Sequence, residues 1–200
     1  MVAAIPLVTK YNISKLHTFQ AKRVPDPLLI QACAWVQYCH ALRISECLTL
    51  EKKDFDFEYH ILTLRRTKTG FDKKGPGKER IDQFTSIPPD LPKWVIDYIN
   101  SSVGLIFKLT RQLVWSYYKK SATLAGLEIA ERQKKRMIKG MWTHAIRKAR
   151  SKLMKELGAS RELRMTKLRH AFKDSQDAYD AEDINALIKW ESENIHGYKD

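Results

Sequence analysis

Seven side chains in this sequence have types and an order that suit work on a phosphate ester. Arg43 stands in His40-Ala-Leu-Arg-Ile-Ser-Glu46, three residues before Glu46. Lys68 follows in Thr67-Lys-Thr-Gly70, then come His144-Ala-Ile-Arg147, His170 in Leu168-Arg-His170, and Tyr179. Cleaving a phosphodiester needs a nucleophile, positive charge against the non-bridging oxygens, and a proton for the departing oxygen. Guanidinium forks match two phosphate oxygens at once and stay charged throughout. Histidine titrates near neutrality and suits proton transfer. A phenol with a pKa of about 10 becomes a nucleophile only when a neighbour activates it. Taken singly, each residue is ordinary. An arginine and a glutamate three apart on a helix are usually a solvated pair, a lysine in a turn is usually solvated, and a lone histidine or tyrosine is usually structural. The information lies in their order.

The elements that must position these groups are mostly helical. Pro25 and Pro27 open a segment, Leu28 to His40, with Leu29, Ala32, Cys33, Val36 and Cys39 at helical spacing. Leu48 to Leu64 reads as two short strands, the second beginning at Tyr59, and Ser86-Ile87-Pro88 closes a third. The basic, turn-rich stretch from Thr67 to Lys78 makes this a small antiparallel sheet with a long hairpin. Pro92 marks a helix with Trp94, Val95, Tyr98 and Ile99 on one face. Thr110 suits the N-cap of a helix ending before Gly126. Thr143 suits the cap of another, with Ile146, Ala149, Leu153 and Leu157 on its apolar face and Gly158 as its stop. Ser160 caps a shorter one, and a last helix lies near Asp183 to Glu193. The expected architecture is mainly α with a small antiparallel β-sheet. Residues 1–24 read as a lead-in or linker, 25–179 as the principal domain and 180–200 as a C-terminal helix and tail.

Composition says what such a domain would meet. The 200 residues carry a formal charge of +13, and 44% are hydrophobic, which argues for a folded chain with an anionic partner. The excess is concentrated: Lys108 to Arg169 holds 18 basic and 4 acidic residues, whereas six acidic residues and two lysines follow Tyr179. That distribution suits a phosphate-binding surface followed by a segment that docks on protein. No apolar run approaches the roughly 18–20 residues that cross a bilayer, and no secretory signal opens the sequence. Cys33, Cys39 and Cys47 are odd in number and lack CxxC spacing, so core packing in a reducing cytoplasm is expected rather than a zinc knuckle or a disulfide framework.

The ordered set resembles the catalytic domain of the tyrosine recombinases, the phage-type integrases among them, over roughly residues 28 to 190. Arg43 at a helix start, Glu46 three residues on and an Asp54-led strand are similar to the first family box. Lys68 stands in the hairpin where the family has its lysine. From Trp142-Thr-His-Ala-Ile-Arg147 one frame then runs without a gap. Gly158 ends a helix where the family has glycine, Leu168-Arg169-His170 falls on the family's leucine-glycine-histidine with arginine replacing the glycine, and Tyr179 follows at the family's interval of nine residues. A competing frame takes Thr166-Lys-Leu-Arg-His170 as the second arginine box and Tyr198 as the nucleophile, with Trp190 near it. It puts threonine in place of histidine and leaves two residues after the tyrosine, so the first frame is preferred.

The resemblance implies an enzyme that cuts and rejoins double-stranded DNA through a 3′-phosphotyrosyl link, with no metal, cofactor or ATP. By it, Tyr179 attacks, Arg43 and Arg147 clamp the phosphate, Lys68 protonates the 5′-oxygen, His144 assists proton transfer at the tyrosine or binds a phosphate oxygen, and His170 donates to a phosphate oxygen. Glu46 orients Arg43 or forms a structural salt bridge. The segment after Tyr179 is similar to the helix that recombinases pack on a neighbouring protomer, though its apolar face suits docking in cis equally. Self-association as a tetramer on DNA is expected, in the host cytoplasm and away from membranes. A type IB topoisomerase-like enzyme and a basic DNA-binding module without chemistry are the alternatives.

Overall fold

The computed structural model describes residues 27–65, 82–124, 141–169 and 181–197. Helix α1 (Pro27–Cys39) is apolar nearly all round and is correspondingly the centre of the main core. Trp35, Ile30, Cys33 and Val36 on it are fully enclosed. The short helix α2 (Ile44–Cys47) follows a turn in which Ala41 adopts a left-handed φ of 49°. A single turn of 3-10 helix (Lys52–Asp54) then leads into strand β1 (Phe55–Asp56), as the Asp54-led strand suggested.

Strands β2 (Ile61–Leu64) and β3 (Gln83–Ser86) complete an antiparallel sheet of order β1-β2-β3, with Leu62 opposite both Phe55 and Thr85. The second strand starts later than its sequence suggests. Tyr59 and His60 lie in the turn, and His60 has a φ of 56°, which no extended strand accommodates.

Helices α3 (Lys93–Ser101), α4 (Arg111–Leu124), α5 (Met141–Glu156), α6 (Arg161–Leu168) and α7 (Ala181–Asn194) follow in order. Thr110 and Ser160 act as the expected caps, accepting from the backbone N–H of Leu113 and Leu163 at 3.2 Å each. Thr143 does not, because α5 already begins at Met141 and Thr143 lies within its first turn. Leu157, expected on the apolar face of α5, is instead exposed beyond the helix end, and Met154 takes the buried place. The lead-in at 1–24, the hairpin tip and the 128–140 connection lie outside the described residues. The three cysteines are buried and unbridged, with the Cys33 and Cys47 sulfurs 3.6 Å apart.

Helix α7 docks on its own chain, against α6 and β3. Leu187 packs with Met154 and Ala159, and Leu163 and Trp190 close over them. Glu191 anchors the helix by charge. Its carboxylate accepts from Arg150 Nη2 at 3.0 Å and from Lys167 Nζ, and the Ser86 hydroxyl donates to it. Arg150 also forks onto Asp90 at 2.8 and 3.0 Å. All these side chains are buried. Burial draws the Lys167 pKa down to about 8 despite the Glu191 charge.

A buried charge is tolerable only while its counter-charges stay in place. Glu191→Ala strands Arg150 and Lys167 on one side, so it should cost about 3–5 kcal/mol in urea unfolding, the scale for breaking a buried pair from one end. A loss below about 1 kcal/mol would mean the network is not closed as described.

Candidate active site

Arg43 is the N-cap of α2, with extended backbone at φ −72° and ψ 147°. That geometry lets the Glu46 carboxylate fold back over the first turn. Glu46 Oε2 accepts from the Arg43 backbone N–H at 2.7 Å, and Oε1 accepts from Arg43 Nη1 at 2.6 Å. The spacing of three residues, which on a surface helix is worth little, is here a closed ring on a buried acid.

Two further guanidinium groups converge on the same carboxylate. Arg147, from α5, sets Nη1 at 3.7 Å from Glu46 Oε2, donates from it to the Ala41 carbonyl at 2.6 Å, and donates from Nη2 to the Leu168 carbonyl. Arg169, just past the end of α6, donates from Nη2 to Glu46 Oε2 at 2.8 Å and to Ala41 O at 3.3 Å. Its Nη1 donates to the carbonyls of His40 and Lys167. Burial alone would raise the Glu46 pKa. The Arg169 charge opposes it, followed by the hydrogen bonds from Arg43, and the net effect holds the carboxyl below its ordinary 4.5. Glu46 therefore stays ionised.

Arg43 remains partly exposed and lines a cleft of about 410 Å³ together with His144, Arg147, Lys148, Ser151, Lys152, Lys155, Arg164 and Leu168. His144 is exposed at its rim. Partial desolvation and then the charges of Arg147 and Lys148 lower its pKa from 6.5. Its ring is consequently neutral at pH 7 and able to accept a proton. The fold thus brings Arg43, Glu46, His144 and Arg147 to one place. Lys68, His170 and Tyr179 lie outside the described residues, as does Tyr198. Among the described residues no three His, Cys, Asp or Glu side chains come together as a metal-binding group, and no helix is long and apolar enough to cross a membrane.

Two features of the site go beyond the sequence-based expectations. Arg169 belongs to the buried side of the arginine cluster, although its only sequence signal was a replaced glycine. Its φ of 50° is the left-handed conformation that glycine adopts freely, so the backbone at Arg169 keeps a glycine-like shape. Moreover, not all of the basic excess can grip an external anion: Arg150, Lys167 and Arg169 are at most 1% exposed and are paired inside the protein.

Against known folds, the catalytic domain of bacteriophage HP1 integrase superposes with a TM-score of 0.55 at 18% identity, over 83% of this chain and 81% of that one. This chain has the tyrosine recombinase catalytic-domain fold. The XerH site-specific recombinase also matches, in a pre-cleavage complex with its difH substrate at TM-score 0.54 and 15% identity. A post-cleavage complex with palindromic difH gives 0.54 and 16%. The matches span 83% and 93% of this chain but 47% and 52% of the XerH chains, so the recombinase fold seen here corresponds to about half of XerH. No family model matches the sequence, and neither does any curated protein.

The buried histidine beside this site gives it a pH signature. His40 is fully enclosed, and its Nδ1–H donates to the Val36 carbonyl at 2.9 Å. Burial, reinforced by the Lys167 charge, holds its pKa well below 6.5, so the folded chain keeps the ring neutral while the unfolded chain protonates it. The His40 contribution to stability should be complete above pH 6.5 and be lost as the pH drops, by at most about 1.4 kcal/mol per pH unit. His144 is lowered in the same direction but is exposed, so His144→Gln should remove only a small share of the loss. The Glu46 contribution belongs to a lower window, below pH 4.5. Unfolding measurements that are flat between pH 7 and 5 would contradict a neutral, enclosed His40.

Proposed function

We propose that this chain is the catalytic domain of a site-specific recombinase that cuts and rejoins double-stranded DNA through a 3′-phosphotyrosyl intermediate. The observation that carries the reading is the convergence of Arg43 and Arg147 on one basic cleft beside a neutral, exposed His144. Two guanidinium groups held by a shared carboxylate are oriented in advance for a phosphate, and such preorganised charge is what a pentacoordinate phosphorus transition state needs. The recombinase fold supports the same reading.

In this mechanism the Tyr179 phenol oxygen attacks the scissile phosphorus and the bond to the 5′-oxygen breaks. The phenol proton passes to His144, and Lys68 gives a proton to the departing 5′-oxygen. Arg43 and Arg147 hold the non-bridging oxygens, and His170 donates a further hydrogen bond. The phosphotyrosyl ester keeps the energy of the broken bond, so attack by a 5′-hydroxyl reverses the step without ATP. Exchange between two duplexes requires one protomer per cut strand, and hence a tetramer assembled on DNA.

Lys148, Lys152 and Lys155 recur at helical spacing along α5, and Arg164 joins them from α6. They suit a row of backbone phosphates leading away from the scissile one. Replacing the three lysines by glutamine should weaken DNA binding and flatten the plot of log affinity against log salt by about 0.9 for each phosphate no longer neutralised. An unchanged slope would remove the cleft from the DNA interface.

The chemistry itself is tested with a nicked suicide duplex. The chain should form a denaturation-resistant DNA adduct, lost in Tyr179→Phe and kept in Tyr198→Phe. Loss in Tyr198→Phe instead would establish the competing frame, and no adduct from the unmodified chain would favour a basic DNA-binding module without chemistry. Exchange between paired sites, rather than relaxation of supercoiled DNA alone, separates a recombinase from a type IB topoisomerase-like enzyme.

A further inference from the structure

We infer that Arg169 is a positioning residue of this active site, one that fixes the two phosphate-facing arginines by locking the carboxylate between them. The inference rests on the recombinase reading and adds to it a residue that the catalytic set does not contain.

Acceptor geometry sets the constraint. Glu46 has two oxygens, and Arg43 occupies one with its side chain and the other with its backbone N–H. Those contacts alone leave the carboxylate free to rock about its own stem, carrying the Arg43 guanidinium with it. Arg169, which is buried and does not line the cleft, removes that freedom by adding a third short contact, to Oε2 at 2.8 Å. Its Nη1 also donates to the carbonyls of His40 and Lys167, and its Nη2 to that of Ala41. It therefore ties the turn that introduces Arg43 to the segment that introduces His170. The Ala41 carbonyl also receives Arg147, at 2.6 Å. One buried guanidinium thus shares both of its principal acceptors, Glu46 and Ala41, with the cleft-lining arginines.

The backbone at this residue points the same way. Arg169 sits at φ 50°, where a side chain is disfavoured and glycine is not. A residue there for helix termination alone would be better as glycine. The guanidinium is held in an unfavourable backbone setting and is 1% exposed, so the site retains it for its contacts.

Arg169→Gly separates the two roles, since glycine keeps the turn and deletes only the contacts. The measurement is the single-turnover rate of adduct formation on the nicked suicide duplex at saturating protein, beside DNA affinity and the pH profile of the rate. Glu46 faces Arg43 from α2, Arg147 from α5 and Arg169 from the end of α6, and it borders Glu51, Lys53, Asp54 and Arg65 on its far side. Loss of the Arg169 charge should move the acid limb of the profile to higher pH. The expected result is a rate about tenfold lower or more, the scale of a misplaced transition-state contact, with affinity changed by no more than about threefold. Arg169→Lys, which keeps charge but not the fork, should recover the acid limb and only part of the rate. An unaltered rate and profile in folded Arg169→Gly would overturn the inference while leaving the recombinase reading intact. Should the glycine variant not fold, a folded Arg169→Lys with the full rate would overturn it equally. No adduct from the unmodified chain would overturn both.

Discussion

The site depends on one buried, ionised carboxylate, that of Glu46. Glu46 is 2% exposed and has three guanidinium groups around it, from the start of α2, the first half of α5 and the end of α6. A buried anion is costly unless it is fully hydrogen-bonded, and three buried or half-buried cations are costlier still. The arrangement is tolerable because further guanidinium donors go to main-chain carbonyls at His40, Ala41, Lys167 and Leu168, at or beside two left-handed residues, Ala41 and Arg169. Segments distant in sequence therefore meet at one angle. The cleft of Arg43, His144 and Arg147 is the solvent-facing side of that junction.

A second buried network stands behind the first, and the chain passes directly from one to the other. Lys167 turns toward Ser86 and Glu191, while Arg169, two residues later, turns toward Glu46. Arg150, one helical turn beyond Arg147 on α5 and close to the Tyr38 ring, joins Asp90 to Glu191. Helix α7 is thereby coupled to β3, α5 and α6 through charge as well as through Leu187. The residue next to Arg169 in sequence is His170, so the segment that carries His170 and Tyr179 follows directly on a point held by both networks.

Much of this was legible in the sequence because it depends on local rules. The apolar spacing of Leu28 to His40, the Ser160 and Thr110 caps, and the stop at Gly158 each report a nearest-neighbour preference, and each element lies within a few residues of its expected place. Thr143 and Tyr59 misled because a cap and a strand end are settled by what packs on them, not by residue type alone. The pairing of Arg43 with Glu46 was legible, but its burial was not. The same holds for Arg150, Lys167 and Arg169. Within a stretch of 18 basic and 4 acidic residues they look like part of a DNA-facing surface, because their counter-charges, Asp90, Glu191 and Glu46, come from far along the chain. Only the arginine at a glycine position carried a trace of that interior role.

That this junction serves an attack by Tyr179 is open to direct chemical reading. Cleavage by trypsin after lysine and arginine places Tyr179 in the peptide 174–189 and Tyr198 in the peptide 190–199. After reaction with a suicide duplex and nuclease trimming, mass spectrometry should find the nucleotide remnant on the 174–189 peptide, fragmenting at Tyr179. A remnant on the 190–199 peptide, or none on any tyrosine, would contradict that role for Tyr179.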